Sequence, residues 1–220
     1  MISDLPPNDA AALEALRGPL NDGLSELGLT PSNEAVDRLA DLAHLLEWWG
    51  TRINLSGHRS ADAIVRRLIL DAAALAIHLP EFLSLNDLGS GAGFPGLPIA
   101  ILRPQAEVLL VESRSRRQHF QRAVVRELGL GRVSTLRGRI EEVAPRPADI
   151  AIAQAVGRPE RVVEWMRAWA REGGWLAIPG GETPPQIPPH PDVEDVRVVD
   201  YRVPLGGPNR TLWLGRRASS

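Results

Sequence analysis

Residues 85–98, Leu85-Asn-Asp-Leu-Gly-Ser-Gly-Ala-Gly-Phe-Pro-Gly-Leu-Pro98, concentrate the residues of this chain that could do chemistry. A short apolar run ends in Asp87, and Gly89, Gly91, Gly93 and Gly96 follow. Glycines at this density suit a backbone that takes positive φ and lies close to a ligand. Set between a strand and a helix, they would leave main-chain N–H groups free at a helix start and favour a charged or polar ligand there. A second acid, Glu112, closes the run Val108-Leu-Leu-Val-Glu112, 19 positions beyond Gly93. A carboxylate at the tip of the next parallel strand can accept from both hydroxyls of a ribose, each charged hydrogen bond contributing roughly 1.5–3 kcal/mol.

Two ligands compete for this arrangement. Gly91-x-Gly93-x-x-Gly96 fits the dinucleotide fingerprint, which alone is a weak signal. The fuller pattern sets Asp87 two residues before Gly89. That acid is foreign to the dinucleotide fingerprint and is similar to the first motif of S-adenosylmethionine (SAM) methyltransferases. A glycine-rich turn with an unrelated surface acid is the third, blander reading.

The elements that must position these residues can be read outward from the loop. Residues 9–29 carry Leu13, Leu16, Leu20, Leu24 and Leu27 at helical spacing, but Gly18, Pro19 and Gly23 argue for two short helices or a helix and a turn. Thr30-Pro-Ser-Asn-Glu34 reads as a capped helix start, and a helix over 34–49 follows. The Trp48-Trp49 pair at its end suits packing better than base stacking. Gly50–Gly57 breaks the helix. A further helix runs from Ala61 to Leu79, with Ile64, Leu68, Ala72 and Leu75 inward, Arg67 and Asp71 at ion-pair spacing, and Pro80 ending it.

From residue 83 strand and helix alternate. The strands are expected at 85–88, 107–111, 133–137, 149–155 and 175–178. The helices are expected at 95–103, 114–129 and 159–171, the last closed by Gly173-Gly174. The proline-rich stretch 179–191 reads as a loop, and strands 194–203 and 210–216 as an antiparallel pair at the sheet edge. The expected fold is α/β: a Rossmann-like doubly wound sheet with a terminal hairpin (residues 83–220), plus an N-terminal helical cap (residues 1–82). Ligands of such sheets bind at the carboxyl ends of the strands, where these motifs fall.

Composition narrows the function classes. There are no cysteines, which excludes disulfides and thiolate metal sites. No apolar run is long enough to span a bilayer. The start, Met1-Ile-Ser-Asp-Leu-Pro-Pro, is acidic and proline-bearing, unlike a signal peptide, so a cytoplasmic protein is expected. The net charge of −2 conceals a segregation: residues 1–82 carry −6 and residues 103–139 carry +6. Every basic residue is arginine. Gathered on one side of the fold, the central block would attract anions. His44, His58, His78, His119 and His190 show no metal-ligand spacing with acids, and no metal is expected.

Beyond the glycine loop, several stretches together resemble one family, the bacterial small-subunit rRNA guanine-N(7) methyltransferases, also called the glucose-inhibited division protein B family. They are Asp87-Leu-Gly-Ser-Gly-Ala-Gly-Phe-Pro-Gly-Leu-Pro98 with Arg103-Pro104, Val111-Glu-Ser-Arg-Ser-Arg-Arg117 with Phe120, and Gly138-Arg-Ile-Glu-Glu142. Arg52-Ile-Asn-Leu-Ser56 and Arg210-Thr-Leu212 also match, and the resemblance covers about residues 34–216. It implies a class I SAM-dependent methyltransferase with SAM as cofactor and 16S rRNA or the small ribosomal subunit as partner, working without membrane or metal, as a monomer. By resemblance the backbone of Gly89 and Phe94 would hold the amino-acid end of SAM, Glu112 the ribose, and Ile140 with Glu141 the adenine. Asp87, Gly91 and Gly93 complete the cofactor set, together with Gln154 on the fourth strand. Four positions depart from the family pattern: Leu68 stands for a histidine, Ala72 for a serine, Gln154 for an arginine, and Pro179 for a lysine.

No catalytic acid or base is named, because ring nitrogen 7 of guanine already offers a lone pair. Asn54, Ser56, Gln154 and Arg210 are the target-side candidates; for Asn54 and Ser56 the competing role is a polar turn. Arg67, Arg114, Arg116 and Arg117 are the RNA-binding candidates, with a solvated helix face as the alternative. Two other functions remain open: a diverged SAM methyltransferase with a small-molecule or other RNA target, and a non-catalytic SAM- or RNA-binding module.

Overall fold

The computed structural model describes residues 10–154, 157 and 159–219. The first residues, on which the expectation about a signal peptide rests, lie outside the described residues, as does the last residue of the expected strand 149–155. Four helical segments lead: α1 (Ala10–Glu26), α2 (Asn33–Gly50), α3 (Ala61–Ile64) and α4 (Leu70–Ala76), the last two joined by a π-helical turn over Val65–Ile69. The alternating part comprises β1 (Ser84–Leu88), α5 (Gly96–Leu102), β2 (Glu107–Glu112), α6 (Ser115–Glu127), β3 (Val133–Arg137), β4 (Ala148–Ala153), α7 (Pro159–Met166) and β5 (Ala170–Gly180). β6 (Val193–Arg202) and β7 (Asn209–Arg217) close the chain.

The expected break in the first helix does not occur. α1 is continuous across Pro19. Proline forfeits one hydrogen bond, and burial of Leu16, Leu20 and Leu24 on one stripe outweighs that loss. α2 starts as its sequence indicates, with Ser32 Oγ accepting from the Ala35 N–H at 3.2 Å. The π-helical turn was not legible in the sequence. It rotates the inward face, so that Val65, Ile69 and Leu70 are fully buried while Leu68 is only partly covered. The expected Arg67–Asp71 pair does not form: Arg66 pairs with Asp62, and Asp71 turns to Arg210.

A second correction concerns the stretch expected as helix 159–171. α7 ends at Met166, a 3₁₀ turn covers Arg167–Trp169, and β5 begins at Ala170. Trp169 is buried, its indole donating to the Ile140 carbonyl at 3.3 Å, and Ala170 pairs with Ala148. These contacts draw the chain into the sheet early. Gly173-Gly174 therefore falls within β5, where the register slips against β4, and does not close a helix.

The seven strands run in the order β3-β2-β1-β4-β5-β7-β6. The first five are parallel and β7 is antiparallel to both neighbours. The inner strands are buried on both faces; β2 and β4 are near-continuously apolar, as this requires, whereas the central β1 buries Asn86 and Asp87 with hydrogen-bond partners. Leu85, Val108, Leu110, Ile150 and Ile152 face the core shared with α1, α2 and α6, whereas Leu88, Leu109, Val111, Ala151 and Ala153 face Trp169 and α7. The first of these cores runs without interruption from the N-terminal helices onto the sheet. Pro179 lies in β5 beyond the end of its pairing with β4 at Ala177 and opposite Leu212 of β7.

Candidate cofactor and acceptor site

The glycine loop leaves the carboxyl end of β1. Gly89, Gly91 and Gly93 all take positive φ. Gly96 is forced by close approach: a Cβ there would stand 2.7 Å from Asp87 Oδ2 and 2.5 Å from Leu110. Most N–H groups of the loop are not free, contrary to the sequence expectation. Gly89 and Ser90 donate to the Val111 carbonyl, Gly93 and Phe94 to the Ser90 carbonyl, and Leu97 to the Gly93 carbonyl. Gly91 N–H donates to Glu112 Oε2 at 3.0 Å, and Gly96 N–H to Asp87 Oδ2 at 2.8 Å. What the loop offers outward is therefore carbonyl oxygen. In a helical turn the carbonyl of Phe94 would be capped by the N–H of residue 98, but Pro98 has none.

Asp87 is only 1% exposed and braces the loop from beneath. Burial pushes its carboxyl up to about 7, the hydrogen bond from Gly96 opposing the shift and the Glu112 charge adding to it. Gln121, wholly buried on α6, supports the same loop. Its Nε2 donates to Ser90 Oγ and to the Gly91 carbonyl, both at 2.8 Å. Gln121 escaped the sequence reading inside an arginine-rich helix. The available signal was its position three residues before Val124 and next to Phe120, on the apolar face.

Glu112 ends β2 beside the loop and is 4% exposed. Oε1 accepts from the Arg114 main-chain N–H at 2.7 Å, and Arg117 lies 3.9 Å from Oε2. Arg117 is thus turned toward the site, while the Arg114 and Arg116 side chains are exposed. Past β3, Ile140 packs with the second core beside Val111 and Ala153; Glu141 is exposed, 3.6 Å from Arg139.

On the other side of Phe94 lies a small cavity of about 30 Å³ whose lining includes Leu68, Asp71, Ala72, Phe94, Gln154 and Tyr201. Three of the four positions that depart from the family pattern therefore meet in one place. Arg67 lines the same cavity. Asp71 ties it to the terminal hairpin, accepting from Tyr201 Oη at 3.2 Å and from Arg210 Nε at 3.0 Å. Burial, then the Asp71 charge, push the Tyr201 hydroxyl well above its ordinary value. Tyr201 and its link to Asp71 left no trace in the sequence, since 130 residues separate the pair. Asn54 is exposed in the loop after α2, and Ser56 Oγ closes a turn there with His58, at 3.0 Å to its carbonyl and 3.2 Å from its N–H. Trp49 packs edge-on against Phe120 at 5.6 Å, the packing role expected for it.

The parallel sheet, the loop after its first strand and the acid at the tip of the second define a class I methyltransferase fold. A putative O-methyltransferase from Klebsiella pneumoniae superposes with a TM-score of 0.56 at 15% identity, covering 90% of this chain and 96% of that one. TYW2 of M. jannaschii in complex with AdoMet gives 0.55 at 13% identity, covering 77% and 80%. The sequence places the chain more narrowly. Residues 35–207 match the family model for GidB, rRNA small subunit methyltransferase G, and the chain belongs to that family. Ribosomal RNA small subunit methyltransferase G of Chromohalobacter salexigens is 37% identical over 203 residues, 90% of this chain and 96% of that protein. Its counterpart in Mycobacterium marinum is 36% identical over 213 residues, 92% and 91% of the two chains.

Proposed function

We propose that this chain transfers the methyl group of SAM to ring nitrogen 7 of a guanine in 16S rRNA. The observation that carries the cofactor half is the accounting around the glycine loop. Most of its N–H groups are consumed internally, and the Glu112 carboxylate sits on Gly91, where a dinucleotide would bring its pyrophosphate. Carbonyl oxygens and a carboxylate repel a pyrophosphate and suit a ligand bearing an ammonium and a sulfonium. Phe94 and Gly89 would accept from the ammonium, Glu112 from the ribose hydroxyls, and Ile140 would cover the adenine.

Bound there, SAM supplies an electrophilic methyl group on sulfur. Guanine ring nitrogen 7 already carries the lone pair that would accept this methyl, so no side chain would have to remove a proton. The protein's part is placement: holding nucleophile and methyl about 3–3.5 Å apart and in line. Phe94, Gln154 and the Asp71–Arg210 pair surround the space in which the acceptor would lie. Family membership supports ribosomal RNA as the acceptor, as do the unpaired arginines near the site. We place the reaction in the cytoplasm, on 16S rRNA or the small subunit, with the protein acting as a monomer built from a helical cap (1–82) and a catalytic domain (83–220).

A second reading, an acceptor other than this guanine, is favoured by one observation: Leu68, Ala72 and Gln154 share the acceptor-side cavity. Incubation with tritiated SAM and 16S rRNA from a strain lacking the modification separates the two. Label mapping to one N7-methylguanine supports the first reading. SAM binding without label in that RNA supports the second.

A further inference from the structure

A separate cleft of about 460 Å³ opens beside the cofactor site, and its lining includes Trp49, Ile53, Arg116, Gln118, His119 and Arg137. No carboxylate lines it. Arg116 and Arg137 are exposed and, among the described residues, neither forms an ion pair, whereas Arg103, Arg132, Arg139 and Arg167 are all paired with acids. The parallel register sets Arg137 directly across from Glu112, so the cleft adjoins the cofactor carboxylate. One wall is aromatic: His119 lies against Trp49 with ring centroids 5.6 Å apart, the planes inclined at 59°. Gln118 is held to β3, its Nε2 donating to Thr135 Oγ1 at 2.9 Å, which fixes α6 against that strand. SAM has no phosphate, and none of the glycine-loop residues lines the cleft.

We propose that this cleft is a second nucleic-acid subsite, taking one single-stranded nucleotide of the substrate RNA that flanks the methylated base. Arg116 and Arg137 hold its phosphate, and its base lies against the exposed His119 ring, which the buried Trp49 backs. A paired-arginine cleft with an aromatic side is the usual means of holding single-stranded RNA without reading its sequence. Gln118, occupied by Thr135, adds little base discrimination. The proposal rests on the reading of the protein as an RNA methyltransferase.

Binding of an oligouridylate and of unmodified 16S rRNA, titrated against salt, tests it. The variant Arg116→Ala/Arg137→Ala is expected to bind both RNAs about tenfold more weakly and to flatten the slope of log K against log salt by about 0.7, the value for one phosphate contact on a single strand. His119→Ala is expected to weaken binding by about tenfold with the slope unchanged, as loss of one stacked base does. The control Arg122→Ala/Arg126→Ala removes the same charge from the same helix outside the cleft and is expected to stay within about twofold of wild type, as is SAM affinity in every variant. Equal losses in cleft and control variants, or none in the cleft variants, overturn the subsite. If wild type transfers no methyl to 16S rRNA yet binds oligouridylate through the cleft, the 16S acceptor reading fails and the cleft stands as an RNA subsite serving another acceptor. The converse result separates them the other way.

Discussion

The main-chain N–H of Gly91 donates to Oε2 of Glu112 at 3.0 Å, linking the loop after the first strand to the tip of the second. With the Arg114 N–H on Oε1, the carboxylate proposed to hold the ligand also serves the fold. Glu112→Gln keeps an amide oxygen for one of these donors, sets its NH2 against the other, and loses the charge. It is expected to weaken SAM by at least about tenfold, within the range for one charged hydrogen bond, and to lower the melting temperature by less than Glu112→Ala does. Glu112→Ala strands two main-chain donors and should also destabilise the fold by about 1–3 kcal/mol. Titration of both variants with SAM, paired with thermal melts, checks the distinction. Undiminished SAM affinity in Glu112→Gln removes the ribose assignment.

Asp87 makes stability depend on pH. Its carboxyl is raised to about 7 in the folded chain, so between the ordinary carboxylate range and pH 7 the folded state binds the extra proton. The stabilising contribution is complete below the unfolded value and is lost as pH rises through 7. Asp87→Asn carries no such dependence. The stability difference should move in favour of the variant by about 4 kcal/mol between pH 4 and pH 7, at about 1.4 kcal/mol per unit. Denaturant melts of both proteins across that range measure it, and a difference that stays flat contradicts the account of Asp87.

Glycine substitutions should separate loop geometry from helix propensity. A Cβ on Gly96 collides with Asp87 and Leu110, whereas, its helix backbone and chain neighbours apart, nothing lies within 4 Å of one on Gly18 in α1. Gly96→Ala should destabilise by about 1–3 kcal/mol, as overpacking does, and abolish SAM binding. Gly18→Ala should stay within about 1 kcal/mol of wild type, the gain in helix propensity being opposed by the clash of its Cβ with the Pro19 ring. Denaturation midpoints of the two variants read the contrast, which equal shifts would refute.

The Asp71 carboxylate joins α4 to the terminal hairpin through Tyr201 and Arg210. Asp71→Ala leaves the buried Tyr201 hydroxyl without its acceptor and should cost about 1–3 kcal/mol. Tyr201→Phe, which removes the hydroxyl itself, should cost less. Reversal of that order in urea melts would mean that the hydrogen bond is not what holds the hairpin.

Local chemistry was legible in the sequence, and long-range chemistry was not. The glycine spacing, the acid at the tip of β2 and the strand periodicities are short-range patterns, and the sheet with its terminal hairpin follows from them. The continuity of α1 through Pro19 and the early entry into β5 were decided by burial of Leu20 and Trp169 against distant elements, which overrode turn residues. Likewise the partners of Asp71 lie in the last two strands, and local spacing pointed to Arg67. The glycine loop shows the limit most clearly: its composition suggested free N–H groups, but Val111, Glu112, Asp87 and carbonyls of the loop itself take up most of them.

The most direct measurement is calorimetric titration of the wild-type chain with SAM and, separately, with NAD. The account predicts one SAM bound per chain, lost or strongly weakened in Glu112→Gln, and no heat from NAD. Binding of NAD with no binding of SAM would contradict it.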